Sequence, residues 1–188
     1  MSESLPDRPP TLEGGPIRLR ALGPEDAPRI VQVAGAREIA DTTISVPHPY
    51  PPEAAVEWIT KVGEQWTAGT GAIFGVETCD GNALVGSIGL REIDRAHSQA
   101  ELGFYVGVPW WGRGYATAAI RALLPFAFGP LGLNRVYAHH MVRNPASGRV
   151  LEKTGFRREG LLRQRVRKWG VFEDVVILAL LRREWAGP

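Results

Sequence analysis

Several things are scarce in this sequence, and each scarcity excludes something. The only cysteine is Cys79, which rules out an internal disulfide framework and any zinc cluster built on thiolates. No apolar run approaches the roughly 18 residues that a membrane span requires. Met1–Pro16 carries acids and prolines where a secretory leader would carry a basic, apolar stretch. A soluble, cytoplasmic protein is expected. No segment repeats at a fixed period, which excludes solenoids and propellers. Lysine is rare: of 22 basic residues only Lys61, Lys153 and Lys168 are not arginine.

What is present describes an ordinary globular chain. At 188 residues with 44% apolar and 22% charged side chains, it has the size and composition of one domain. Such a length buries roughly two thirds of its unfolded surface and needs no metal staple. The net charge is only +2, but the arginine excess matters because guanidinium groups pair bidentately with phosphates and carboxylates. A GC-rich coding sequence is the expected source of most of the excess, and a phosphate-bearing partner is the other reading. Placement is more telling: Arg157, Arg158, Arg163, Arg165, Arg167 and Lys168 crowd a stretch with one acid, Glu159.

Residues 1–16 are rich in Pro, Gly and acids without periodicity, and are expected to be a flexible tail ahead of one domain spanning 17–188. Alternation predicts strands over Ile17–Leu22, Ala72–Thr78, Leu84–Arg91, Gln99–Val108, Arg135–Val142, Gly160–Lys168 and Phe172–Leu181. Helical spacing and start signals predict helices over Ala27–Ala40, Glu53–Ala68, Trp111–Phe128 and Ser147–Thr154. The prolines of Val46–Pro52 force a loop around His48 and Tyr50. Pro125 should kink or shorten its helix. The expected architecture is α+β, a mixed sheet with helices on its faces.

The most informative stretch runs from Glu101 to Ala119. A strand leads into Gly112, Gly114 and Ala116, and a small-residue helix follows at once. Glycines let backbone N–H groups turn outward, and a helix start adds the positive end of its dipole, so the turn suits a pyrophosphate. Arg113 could add a charged contact. The string G-x-x-x-x-G-K-[ST] is absent, and Thr117 stands where a dinucleotide fingerprint needs its third glycine. A plain tight turn before a helix is the alternative.

Two spaced motifs decide between these. Trp111-Gly112-Arg113-Gly114-Tyr115-Ala116 resembles the pyrophosphate loop of the GNAT superfamily of acyl-CoA-dependent N-acetyltransferases, with Trp in its first place. Asn144, Ser147, Val150 and Gly155-Phe156 resemble a second motif of the branch that acetylates the N-terminal alanine or serine of ribosomal proteins. The resemblance extends over roughly residues 16–185 in matching order. It implies a GNAT fold, a mixed and mostly antiparallel sheet splayed at Leu102–Val108 and Arg135–Val142, where acetyl-CoA is the co-substrate.

The resemblance also implies roles. Backbone groups of Phe104, Tyr105 and Val106 would pair with the pantetheine arm, Val106 N–H would stabilise the oxyanion, and residues 111–116 would hold the pyrophosphate. Glu101 is the candidate base, acting directly or through water; its other reading is a surface carboxylate paired with an arginine. Ser147 is the candidate acid for the leaving thiolate and Asn144 the orienting group. Both are also favoured helix caps, and the two roles are compatible.

No metal is expected: adjacent strand residues His139 and His140 face opposite sides, and His48 and His97 stand alone. Cys79 reads as buried or edge filler. The His48–Tyr50 loop, Trp58, the Arg91–Ser98 turn and the Arg163–Val171 hairpin should wall the acceptor cleft, with Glu92, Asp94 and Glu101 offering negative charge. Trp110, Trp111 and Trp169 either line it or pack.

The expected reaction is transfer of acetyl from acetyl-CoA to a primary amine, a protein N-terminus such as that of a ribosomal protein. The alternatives are a small amine (aminoglycoside, polyamine or amino acid derivative), a silent acyl-CoA sensor, and an RNA- or ribosome-binding module using the Arg157–Lys168 cluster, though a nucleic-acid partner is not favoured. No membrane partner is expected, and a homodimer stays open.

Overall fold

Alternation along Ile17–Arg20 puts Ile17 and Leu19 wholly out of solvent and leaves Arg18 and Arg20 part-exposed, the period-2 signature of a half-buried strand. The same logic builds the rest of the computed structural model, which describes residues 6–187. Its strands are β1 (Leu12–Gly14), β2 (Ile17–Arg20), β3 (Ala72–Thr78), β4 (Leu84–Asp94), β5 (Gln99–Val106), β6 (Arg135–Met141), β7 (Arg157–Lys168) and β8 (Val171–Leu181). They form one 8-stranded sheet in the order β1-β2-β3-β4-β5-β6-β8-β7. Every neighbouring pair is antiparallel except β5 and β6, which run parallel. The helices are α1 (Ala27–Ala34), α2 (Arg37–Thr42), α3 (Pro52–Thr67), α4 (Tyr115–Phe128) and α5 (Pro145–Lys153).

β5 shows how the layers divide. Ala100, Leu102 and Phe104 pack with Ile120, Leu123 and Leu124 of α4. Tyr105, on the other face, packs with Ile30 and Ala34 of α1 and with Ala55 and Ile59 of α3. The sheet is thus sandwiched between α1–α3 and α4–α5. Near one edge, Arg18 and Arg20 neutralise the buried Glu77, and Arg20 also holds Asp26.

Several boundaries differ from expectation, each for a local reason. Leu12–Gly14, within the segment expected as a tail, pairs antiparallel with β2. The helix expected over Ala27–Ala40 is two, because Gly35 N–H closes α1 on the Val31 carbonyl and Ala36 is extended. The strand ending expected at Val108 comes at Val106, where Gly107 and Pro109 start a 3-10 turn. The helix expected from Trp111 starts at Tyr115, since Gly112 and Gly114 have φ of 76° and 80°, outside any right-handed helix. Pro125 does not end α4, which continues to Phe128. Cys79 is exposed, not buried. No helix among the described residues is long and apolar enough to cross a membrane.

Candidate active site

The site begins where two strands part. β5 and β6 pair from Gln99↔Arg135 to Leu102↔Ala138 and no further, though β5 runs on to Val106 and β6 to Met141. Gly107 N–H donates to the Val85 carbonyl, next to the Gly86↔Val106 position, so Val106 occupies a non-hydrogen-bonded site opposite β4. By the antiparallel alternation Phe104 does too, while Tyr105 pairs with Ser87. The main-chain groups of Phe104 and Val106 therefore face the opening, and those of Tyr105 face β4. Tyr105 borders both cavities, and burial pushes its hydroxyl pKa up.

On the α4–α5 side lies a cavity of about 410 Å³ lined by Phe104, Val106, Trp110, Trp111, Gly112, Gly114, Tyr115, Ala116, Asn144 and Ser147. Gly112 and Gly114 owe their identity to their positive φ, for a Cβ at either would meet nothing within 4 Å. A β-carbon there costs backbone strain, not a clash. Gly114 caps α4, whose first N–H groups have no intrahelical partner. Trp111 donates its indole N–H to the Val106 carbonyl at 2.5 Å and so ties the loop to the end of β5. Arg113 is exposed between the two glycines.

Across the opening, on the α1–α3 side, a cavity of about 260 Å³ is lined by Thr42–Pro47, Tyr50, Trp58, Arg91, Glu101, Gly103, Tyr105, His139 and Ser147, among others. Thr42, Thr43, Phe104, Tyr105 and Ser147 border both cavities, so the two meet at the parted strands. Of the elements expected to wall this side, Tyr50, Trp58 and Arg91 do so. Glu92, Asp94 and Trp169 do not line it, and the β7–β8 hairpin acts indirectly, through Lys168 donating to the Val46 carbonyl. Trp169 instead sits beneath Arg37 and Lys168.

Glu101 stands at the floor of the second cavity. Arg91 Nη2 donates to its Oε1 at 2.8 Å, and His139 Nδ1 lies 3.5 Å from that same oxygen. Burial works against its charge, but His139 and Arg91 outweigh burial and hold its pKa below the ordinary carboxylate range. Glu101 is thus ionised at neutral pH, and both contacts leave Oε2 free. His139 packs edge-on against Tyr137. His140, on the opposite face, lies over α5, where a side chain at Gly148 would meet its Nε2 at 2.8 Å. Among the described residues no cluster of His, Cys, Asp or Glu could hold a metal ion.

Asn144 caps α5 by accepting from Ser147 N–H at 3.3 Å, and its Nδ2 donates to Ser147 Oγ at 2.9 Å and to the Thr42 carbonyl. Because Ser147 Oγ receives that hydrogen bond, its own proton is free to point into the opening.

The family model described as an acetyltransferase (GNAT) domain matches residues 17–157. The chain belongs to the GNAT acetyltransferases. This acetyltransferase is 29% identical to the uncharacterized N-acetyltransferase p20 of Bacillus licheniformis over 91% of its own length and 96% of that protein's. It is 27% identical to the Escherichia coli [ribosomal protein uS5]-alanine N-acetyltransferase over 68% of each. Mycobacterium smegmatis RimJ, solved in complex with CoA-disulfide, superposes with a TM-score of 0.86 at 25% identity, over 96% of this chain and 91% of that one. Enzymes of this family use acetyl-CoA, and the open edge of β5 followed by an N–H-rich glycine turn fits such a co-substrate.

His139 and Arg91 carry no sequence signal for a role at Glu101. Glu101 and Tyr137 are register partners across the parallel pair, and only that register brings β6 alongside.

Proposed function

We propose that this acetyltransferase acetylates a protein N-terminus, such as that of a ribosomal protein. The observation that carries this reading is the charge balance of the acceptor cavity: among the described residues Glu101 is the only acid in its lining and is itself paired with Arg91. One ionised oxygen suits one ammonium. A polyamine or an aminoglycoside brings several cations, and the neighbouring guanidinium would repel the additional ones. The name of the E. coli relative, an enzyme for ribosomal protein alanine, agrees with an α-amine acceptor.

In this reading the main-chain groups of Phe104 and Val106 pair with the pantetheine arm as an added strand. Gly112, Gly114, Tyr115 and Ala116 offer N–H groups to the pyrophosphate, Arg113 adds its charge, and Trp111 fixes the turn. Val106 N–H stabilises the developing oxyanion. Glu101 receives the ammonium on Oε2 and holds it where it loses its proton. Ser147, oriented by Asn144, gives its proton to the departing thiolate.

The test is release of free thiol from acetyl-CoA with peptides beginning in Ala or Ser, spermidine and an aminoglycoside. Peptides should exceed the polycations in kcat/KM by at least about tenfold. The reverse order overturns the acceptor assignment, and cofactor binding without turnover of any amine overturns the catalytic roles. Gly114→Val should abolish acetyl-CoA binding.

A further inference from the structure

A carboxylate held below its ordinary pKa range is a good counter-ion for an ammonium and a weak base toward it, because proton transfer is efficient when the acceptor's pKa lies near the working pH. The amine must still lose a proton before its lone pair can attack. Beside Glu101 stands a side chain of the right chemistry.

His139 lines the acceptor cavity and presents Nδ1 to Glu101 Oε1 at 3.5 Å; such contacts are often long before substrate binds. Only 16% of its side chain is exposed. A ring that turns one nitrogen toward a carboxylate keeps its proton on that nitrogen and leaves the other as an acceptor. The edge-on contact with Tyr137 restrains the ring.

We propose that His139 is the base that takes the amine proton through Nε2, with Glu101 orienting the ring and stabilising the imidazolium. This deepens the acceptor reading above and rests on it. The N–H bond of the ammonium breaks and its proton moves to Nε2. The freed lone pair forms the N–C bond to the thioester carbonyl, and as the C–S bond breaks the nitrogen gives its second proton to solvent. The thiolate takes its proton from Ser147, which recovers one from solvent, and the imidazolium releases its own. The sum is an amide, a thiol and one proton.

The charged and titratable groups around His139 are Glu101 of β5, Arg91 of β4 and Tyr137 of its own strand, and Tyr50, Tyr105 and His140 line the same cavity. Burial raises all three tyrosine pKa values, so these phenols do not titrate near neutrality.

The experiment compares the full-length wild type with His139→Gln, His139→Ala and Glu101→Gln, using the best amine of the panel and reading kcat against pH. His139→Gln should lower kcat about 100-fold, leave the KM for acetyl-CoA unchanged, and erase the rise of kcat with pH. Free imidazole should restore part of the His139→Ala rate, an effect that a structural role would not give. A His139→Gln enzyme that keeps kcat within twofold, or keeps the rise of kcat with pH while Glu101→Gln loses it, overturns the proposal and leaves the acceptor reading standing. A wild type inert toward every amine overturns both.

Discussion

Glu77 and Glu101 are both carboxylates enclosed by the sheet and held by arginine, yet their environments differ in kind. Glu77 takes Arg18 on Oε1 and Arg20 on Oε2, and Arg20 spends its remaining nitrogens on Asp26 and the Ala21 carbonyl. Both carboxylate oxygens of Glu77 and all three guanidinium nitrogens of Arg20 are engaged. Glu101 receives both of its contacts on one oxygen, and Arg91 keeps a buried Nε without a partner. Glu77 lines neither cavity, whereas Glu101 lines the one on the α1–α3 side. The same pair of residue types is thus saturated away from the cavities and unsaturated at the wall of one, where the proposed chemistry lies.

Removing each carboxylate is the sharpest way to break that comparison. Glu101→Gln should lower kcat/KM by about 10³-fold, since it takes away the ammonium's counter-ion and the orientation of the base. Its unfolding temperature should stay within about 2 °C of the parent's, because an arginine with 39% of its side chain exposed can turn to water. Activity that survives the change would put Glu101 in the same class as Glu77.

Glu77→Gln should do the opposite. It leaves two guanidinium groups facing a neutral amide in a position only 6% exposed. A fully buried pair costs about 3–5 kcal/mol to break, and the part-exposed arginines reduce this to about 2 kcal/mol, or about 4–8 °C in Tm for a domain of this size. Turnover per folded molecule should not change. A thermal melt paired with active-site titration checks both halves.

Arg91→Met probes the other member of the unsaturated pair. Without the guanidinium the cavity becomes net negative and should tolerate polycations better, so the peptide-to-spermidine ratio of kcat/KM should fall about tenfold. A ratio that stays constant would show that charge balance does not set the acceptor.

These two clusters were not equally legible in the sequence. The order of strands and helices followed from alternation, turn residues and two spaced motifs, because period and glycine placement are local properties. The glycine turn at 112–116 and the cap at Asn144 were legible for the same reason. Arg91 and His139 were not, because their tie to Glu101 exists only through the β4–β5 and β5–β6 registers. The edge strand β1 was hidden by its three-residue length, and the break between α1 and α2 by helix-forming residues on both sides of Gly35. Trp111 fits its motif position, but the bond from its indole to the Val106 carbonyl is a tertiary fact. The arginine excess also resolves by geometry. Arg18, Arg20, Arg91, Arg135, Arg143 and Arg157 each pair with an acid, while Arg163, Arg165 and Arg167 lie exposed on the edge strand β7, where charge discourages pairing with another chain.

The smallest expected effect lies in the acid limb of stability. The pKa values of Glu77 and Asp26 are lowered: burial opposes their charge, and hydrogen bonds from the arginines override it. A group whose folded pKa is depressed contributes stability that is complete above its unfolded value, near 4, and is lost as pH falls through the folded one. Unfolding free energy should therefore decline with acid below about pH 4. Glu77→Gln should flatten that decline, because its carboxylate is held on both oxygens. Glu101 is also lowered, so Glu101→Gln has the same sign, but with only one oxygen held its flattening should be the weaker. Urea titrations between pH 2 and 6 read both slopes, and equal flattening by the two variants would erase the distinction between a saturated carboxylate and an open one.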